Sequence, residues 1–501
     1  MQTIAVIDIG SNAMRLLIGG VGLDGKIQKV ESMRLPVRLG QDVFSNGSHI
    51  SEETAQLSVD AFTRFRKMAD DHQVEKIRAV ATSAMREAKN SDLLCDRIAR
   101  ATGIEIEIIS GEEEARLIHL AVANAADLKD KYALSIDIGG GSVEVTLSLG
   151  GNILSTESYN MGTVRLLQKL GSQPDLPFEQ LVREYAQAAK RRIERDIGDK
   201  NLDLCLGTGG NIEEMGELRK KIFKRESEFL VTVDELDELI QLLGGMNVEE
   251  RMKKFKLKPD RADVILPAMI VLNIIAREAK IKEVRIPNVG LKDGILIDLA
   301  QSLMQTPRPS PREQVWTSAL RLGEKYQFDS LHGNLVARLA GSLFDQTYPL
   351  HGLDEENKLL LEVASLLHDI GHFIGTLEHD KHAYYILQHA PLIGLSPREQ
   401  GIVANVARYH RKSMPAVQDE NFRALSPKDR AIVIKLSTLM RLADAMDVSH
   451  TYRVQSVSIK PHREKWKIQM QGEGALTLES WALEKRRATF QDVFGAKLEI
   501  E

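Results

Sequence analysis

Apolar, β-branched runs closed by Asp-x-Gly turns organise the first third of the chain. IAVIDIGSNAMRLLIGG (residues 4–20) reads as a strand, a tight turn and a second strand, and YALSIDIGGGSVEVTLSLGG (132–151) repeats the pattern. Aligning Asp8 with Asp137 also aligns Gly10 with Gly139 and Arg15 with Glu144. Residues 3–35 predict three antiparallel strands, followed by a helix over 51–71, a strand over 76–83, a helix, a strand over 104–110 and a helix over 111–126. After Lys131 the order restarts, with three strands, a helix from Thr163, a long helix to about Ile197, a strand over 202–207, a GTGG turn and further helices. A repeat of 129 residues is far longer than a solenoid period, so it signals a duplicated half-domain.

The pattern changes after TPRPSPREQ, where Pro307, Pro309 and Pro311 mark a linker. Residues 315–450 show helical apolar spacing and hold most of the 13 histidines. Short strands return from Tyr452 (454–461, 465–472 and 497–501), with a helix near Leu478–Phe490. The predicted domains are 1–126, 127–305, 306–450 and 451–501: two α/β lobes, an all-α domain and a small α+β domain.

Composition narrows the class. At 501 residues the chain exceeds a single core, and 43% apolar with 27% charged residues is ordinary for a globular protein. No basic stretch followed by an apolar run opens it, so no signal peptide is expected. The most apolar segment, Val264–Ala276, is too short to span a bilayer and reads as a buried helix. Cys95 and Cys205 lie far apart in apolar surroundings, which suits core thiols and a reducing cytoplasm. A formal charge of −5 offers no general attraction for polyanions, so neither nucleic acid nor membrane is an expected partner. An anionic substrate needs a local basic surface.

Three Gly-bearing turns follow strands: Asp8–Asn12, Asp137–Ser142 and Gly207–Asn211. Glycines in such turns let backbone N–H groups approach phosphate. Gly10, Ser11, Asn12, Gly139, Gly140, Gly141, Ser142, Gly207, Gly209 and Gly210 are therefore candidate phosphate contacts, joined by Arg15 and by Arg86 at a strand end. One Asp in each copy, facing the other across a cleft, could hold a metal or orient water, or be a plain turn residue. The implied core is a duplicated actin-like, Hsp70-like and sugar-kinase-like (ribonuclease H-like) fold. That fold alone does not choose between kinase, ATPase and phosphatase.

ATSAMREAKN (81–90), IISGEEEARLIHLAV (108–122), SIDIGGGSVEV (135–145), NMGTVRL (160–166) and RADVILPA (261–268), in this order, resemble the exopolyphosphatase / guanosine pentaphosphate phosphohydrolase family. LLHDIGHF, ARYHRK and RLADAMD resemble its long members, which tend to form homodimers. The resemblance implies that Glu114 activates the attacking water and that Asp137 and Glu144 place Mg²⁺. Glu114 falls in the first turn of a helix, where Glu112 and Glu113 read better as complements to the helix dipole. Two departures stand out: Lys292 in GLKDG replaces a common Arg, losing bidentate geometry, and GTGGNI lacks a Thr found after the second Gly in many members.

His332, His368, Asp369 and Asp444 follow the ligand order of the HD phosphohydrolase superfamily, which implies a possible second divalent metal; His372, His379, His382 and His410 add to the local density. Packing residues left from an ancestral site are the alternative. Basic clusters at Arg408–Lys412 and Arg463–Lys467 could guide a polyphosphate chain or be solvated faces. The expected activity is Mg²⁺-dependent release of terminal phosphate from inorganic polyphosphate. The 5′ phosphate of guanosine pentaphosphate (pppGpp) is the alternative substrate. A non-hydrolytic alarmone-binding regulator and a sugar-kinase-type phosphotransferase are the competing classes; an intact Glu114 argues against the first, and the second lacks any sign of an acceptor pocket.

Overall fold

Sequential hairpins and crossovers build two sheets of one topology. The computed structural model describes residues 2–22, 26–45, 47–171, 178–197, 201–304, 311–411, 414–463 and 465–501. Strands β1 (Gln2–Ile9), β2 (Met14–Val21), β3 (Ile27–Leu35), β4 (Lys76–Ala81) and β5 (Ile106–Ile108) form a sheet in the order β3-β2-β1-β4-β5. β6 (Tyr132–Ile138), β7 (Val143–Leu149), β8 (Asn152–Tyr159), β9 (Leu204–Thr208), β10 (Leu230–Thr232) and β11 (Glu283–Arg285) form the second, in the order β10-β11-β9-β6-β7-β8. In each sheet the first three strands are antiparallel and the fourth runs parallel to the first.

The register carries the duplication to single residues. Asp8 lies opposite Arg15 across the first hairpin, and Asp137 lies opposite Glu144 across the second. Even the register shifts match, at Ile18/Gly19 in one copy and Leu147/Ser148 in the other. A bulge at one position in both copies bends both hairpins alike.

Several expected boundaries move. The strand read over 104–110 shortens to β5, and the one over 76–83 ends at Ala81 before a short helix, Ser83–Glu87. The long helix ending near Ile197 is two helices, Phe178–Tyr185 and Gln187–Ile197, and that near Leu478–Phe490 is also two, Thr477–Glu484 and Arg487–Phe494. β10 and β11 have no counterpart in the sequence reading, because three residues are too few to show a two-residue period. The Val264–Ala276 segment is a buried helix as read, spanning Ile265–Glu278. Among the described residues, no helix is long and apolar enough to cross a membrane. Both cysteines are free thiols, Cys205 buried and Cys95 half-buried.

The chain divides into two units, Met1–Pro309 and Ser310–Glu501. The expected boundary at 305/306, with Pro307 and Pro309, lies outside the described residues. Within the first unit, the helix Leu291–Met304 does not stay with the lobe that precedes it. Its Leu291, Ile295, Leu296 and Leu299 share a core with Ile4, Val6, Leu117 and Ile118 of the first lobe. Contact is close: a Cβ on Gly294 would lie 1.8 Å from the Leu117 carbonyl oxygen, so only glycine fits. In the second unit, helices over 311–445 and a sheet of three strands (Val454–His462, Lys465–Gly472 and Lys497–Ile500) share one core, with Val457, Ile459, Ile468 and Leu498 packed among helical residues. The predicted 306–450 and 451–501 domains are thus one unit.

Candidate active site

The Gly turns of both lobes converge on one cavity of about 290 Å³. Gly10, Ser11, Asn12 and Arg15 line it from the first lobe; Gly139, Gly140, Gly141, Ser142, Gly209 and Gly210 line it from the second. The turns touch: a Cβ on Gly141 would lie 2.6 Å from Ser11 Oγ and 2.1 Å from Ser83 Oγ, and the Ser11 and Ser83 hydroxyls are themselves 3.0 Å apart. Gly141 therefore serves lobe contact as well as backbone exposure. Gly207 stands apart from the expected set. It lies within β9, where a Cβ would meet Val284 and Ile212 at 2.8 and 2.9 Å, so its role is packing.

Glu114 enters from the head of the helix Gly111–Ala125, whose first turn is capped by the Ser110 hydroxyl accepting from the Glu113 N–H. Glu112 is exposed and Glu113 bonds Arg116, whereas Glu114 is buried at the cavity wall. Arg86 Nη2 stands 3.5 Å from Glu114 Oε2, while its Nη1 donates to the Ile109 carbonyl at 2.5 Å. Arg86 does not line the cavity; it sits behind Glu114 instead of meeting phosphate directly. Glu144 is also set back. Its Oε1 accepts from Ser158 Oγ at 2.9 Å, and its Oε2 is buried without a hydrogen-bond partner.

Four carboxylates crowd this wall. Burial, followed by the charge of Glu144, holds Glu114 well above the usual carboxylate range against the opposing pull of Arg86. Burial pushes Asp137 up to about 6; Asp8 adds to the rise and the 2.5 Å hydrogen bond from Thr208 Oγ1 resists it. Burial and then Asp137 push Glu144 up to about 7. Asp8 is engaged by Arg15 at 2.9 Å. Unshared acceptor oxygens on Glu114 and Glu144, in an all-oxygen donor set, fit a hard divalent cation such as Mg²⁺.

Cations face the carboxylates. Arg34, Arg261 and Lys292 line the cavity beside Arg15; of these three, Arg261 opens the RADVILPA motif and Lys292 stands out as a departure, but the sequence marks neither as a phosphate contact. Arg261 Nη1 donates to Asn211 Oδ1 at 2.8 Å, and Arg34 pairs with Asp260. Burial, followed by the neighbouring Arg34 and Arg15 charges, lowers Arg261 to about 10. Guanidiniums that crowd one another are a place for an anion to settle. Arg34 carries no sequence signal, since its approach depends on the hairpin fold.

In the second unit the four expected histidine-and-aspartate residues do meet. His332 Nε2 lies 3.3 Å from His368 Nε2, and Asp444 Oδ1 lies 3.6 and 3.4 Å from the two. Asp369 stands 3.9 Å from His332 and 3.6 Å from His368. His382 is not part of this group, Lys412 and Glu464 of the basic clusters lie outside the described residues, and Arg408 is bound to Asp380.

A model of the Ppx/GppA phosphatase family matches residues 22–303, and one for domain III of Ppx/GppA phosphatases matches 316–486. A guanosine-5′-triphosphate,3′-diphosphate pyrophosphatase of Vibrio parahaemolyticus is 27% identical over 99% of this chain and 95% of its own length. One of the same name from Photobacterium profundum is 25% identical over 87% of this chain and 85% of its own. Among solved structures, an exopolyphosphatase from Cytophaga hutchinsonii is similar with a TM-score of 0.56 and 25% identity, covering 60% of this chain and 98% of its own. The Aquifex aeolicus Ppx/GppA family member is similar with a TM-score of 0.50 and 25% identity over 60% of this chain and 98% of its own.

Proposed function

The chain belongs to the Ppx/GppA phosphatase family, and from that premise we propose that it hydrolyses the terminal phosphoanhydride of inorganic polyphosphate, one phosphate at a time. The observation that carries this reading is a buried, proton-hungry Glu114 on the wall of a cavity lined by Gly turns and four cations. The terminal phosphate rests on the turn amides of residues 10–12 and 139–142, with Arg15, Arg34, Arg261 and Lys292 meeting its charge. Glu114 accepts a proton from water as that oxygen attacks the terminal phosphorus in line with the departing bridging oxygen. Asp137 and Glu144, with Asp8 beside them, would hold Mg²⁺, whose charge would offset that on the departing phosphate. Arg86 keeps the Glu114 carboxylate in place.

A second substrate is favoured by the relatives that match along most of the chain, named guanosine-5′-triphosphate,3′-diphosphate pyrophosphatases. Removing the 5′ terminal phosphate of pppGpp is the same chemistry on the same groups. The test is phosphate release with Mg²⁺ from long polyphosphate, pppGpp or ATP. Glu114→Gln is expected to lose roughly 10²–10⁴-fold of the turnover, the usual contribution of a general base, while still binding substrate. Turnover equal to the parent would overturn the mechanism, and release from pppGpp alone would move the assignment to the second substrate.

A further inference from the structure

The helix Gly210–Ile222 carries into the cavity a carboxylate that neither the attack of water nor the Mg²⁺ set employs. Glu213, in its first turn, is half-buried and lines the cavity, and its side chain makes no hydrogen bond or ion pair among the described residues. Its neighbour Glu214 stands outside the lining. An acidic residue in a first helical turn complements the helix dipole whichever way it points. Facing an anion-binding cavity is a separate matter, because there a carboxylate opposes the ligand.

The start of the helix fixes Glu213 among the cations. The Arg261 guanidinium lies over Gly210, where a Cβ would come within 2.1 Å of Nη2, and its Nη1 donates to Asn211 Oδ1 at 2.8 Å. On the other side, a Cβ on Gly209 would lie 3.4 Å from Asp137 Oδ1. The charged neighbours sort the cavity into two ends. Those acting on Glu114 are Glu144, Arg86, Asp137 and Asp8. Those acting on Arg261 are Arg34, Arg15, Asp260 and Glu213. Asp137 stands between, under the influence of Asp8, Arg15 and then Glu213.

In-line displacement turns that order into a direction for the substrate. Water beside Glu114 attacks the terminal phosphorus, so the bridging oxygen departs on the opposite side, toward Arg261, Arg34 and Glu213. The guanidiniums meet the phosphate that follows, and Glu213 meets the group beyond it. A continuing phosphate chain brings like charge against the carboxylate, whereas a ribose hydroxyl or a guanine N–H donates to it. A carboxylate accepts and does not donate, so it responds to the part of the substrate in which polyphosphate and pppGpp differ.

We propose that Glu213 is a specificity-determining residue of this cavity, accepting hydrogen bonds from a nucleoside on the leaving-group side and opposing a polyphosphate chain there. The inference rests on the hydrolysis proposed above and concerns the ratio between its two substrates. Glu213 favours the leaving group that carries donors over the one that carries only charge.

The test measures kcat/KM for pppGpp and for long polyphosphate in the parent, Glu213→Gln, Glu213→Ala and Glu214→Gln. Both changes at Glu213 should raise the polyphosphate value about tenfold by removing a like charge, with a smaller gain at high salt. Gln keeps an acceptor, so pppGpp should stay within about threefold, whereas Ala should lower it at least about tenfold, as for a lost hydrogen bond to a charged group. Glu214→Gln, with the same charge change in the same turn, should leave the ratio at the parent's value. Equilibrium binding of both ligands to Glu114→Gln and to Glu114→Gln/Glu213→Gln should show the same gain for polyphosphate. That readout needs no turnover, so a failure of the mechanism and a failure of this inference are told apart. An unchanged polyphosphate value in Glu213→Gln, an equal fall on both substrates, or the same shift in Glu214→Gln would each overturn the proposal.

Discussion

Replacing Glu144 by Gln should stabilise the metal-free protein at neutral pH and leave it nearly unchanged in mild acid. Glu144 is 2% exposed, and its carboxyl is raised from 4.5 to about 7 by burial and by Asp137. A carboxylate raised on folding binds its proton more tightly in the native state. Its contribution is therefore most favourable below the unfolded value near 4.5 and is lost as pH climbs toward 7, with no further loss above. At 1.36 kcal/mol per pKa unit, the burden is about 1 kcal/mol at pH 5 and about 3 kcal/mol at pH 7.5. Gln keeps the shape and the oxygen that accepts from Ser158 while removing the charge. For a first unit of some 300 residues, about 3 kcal/mol corresponds to a shift of about 5 °C. The assay is thermal unfolding in chelator at pH 5 and pH 7.5, repeated with Mg²⁺. Mg²⁺ should raise the parent's Tm at pH 7.5 and add far less to the variant. A Tm for Glu144→Gln equal to the parent's at pH 7.5, or an equal shift at both pH values, would refute the crowded-carboxylate reasoning.

Other perturbations follow from the same geometry. Gly294→Ala forces a Cβ toward the Leu117 carbonyl oxygen, moving the helix that bears Glu114; kcat for phosphate release should fall about 10–100-fold, as expected for a displacement near 1 Å, with KM little changed. Arg261→Ala removes a cavity cation and the bond to Asn211, so KM for polyanionic substrates should rise at least about tenfold, less so at high salt; steady-state kinetics at two ionic strengths checks this. Lys292→Arg restores a planar fork at the cavity rim, and competition between polyphosphate and pppGpp should show a changed preference with the total rate within a few-fold.

Much of the first unit was legible in the sequence because duplication writes itself twice. Asp8 and Asp137, with Arg15 and Glu144, could be aligned by eye, and the sheets place them opposite each other as aligned. The helix bearing Glu114 announced itself through its acidic first turn. What escaped was non-local. Arg34 reaches the cavity only because β3 folds back along β2, and nothing in its neighbourhood distinguishes it from other surface arginines. Gly207 belongs to a Gly-rich segment that reads as a turn, so its packing from β9 against Val284 could not be told from phosphate binding before β11 was placed. Asp447 bonds His332 from 115 residues away, a partnership that local spacing cannot encode.

The Leu291–Met304 helix bears on how the chain acquires its fold during synthesis. Ile4, Val6, Leu117 and Ile118 leave the ribosome long before Ile295, Leu296 and Leu299 do, so the first lobe must wait for its last apolar strip. Until then that face is a natural landing place for a chaperone, and a nascent chain arrested short of residue 291 would present it to any hydrophobic surface nearby.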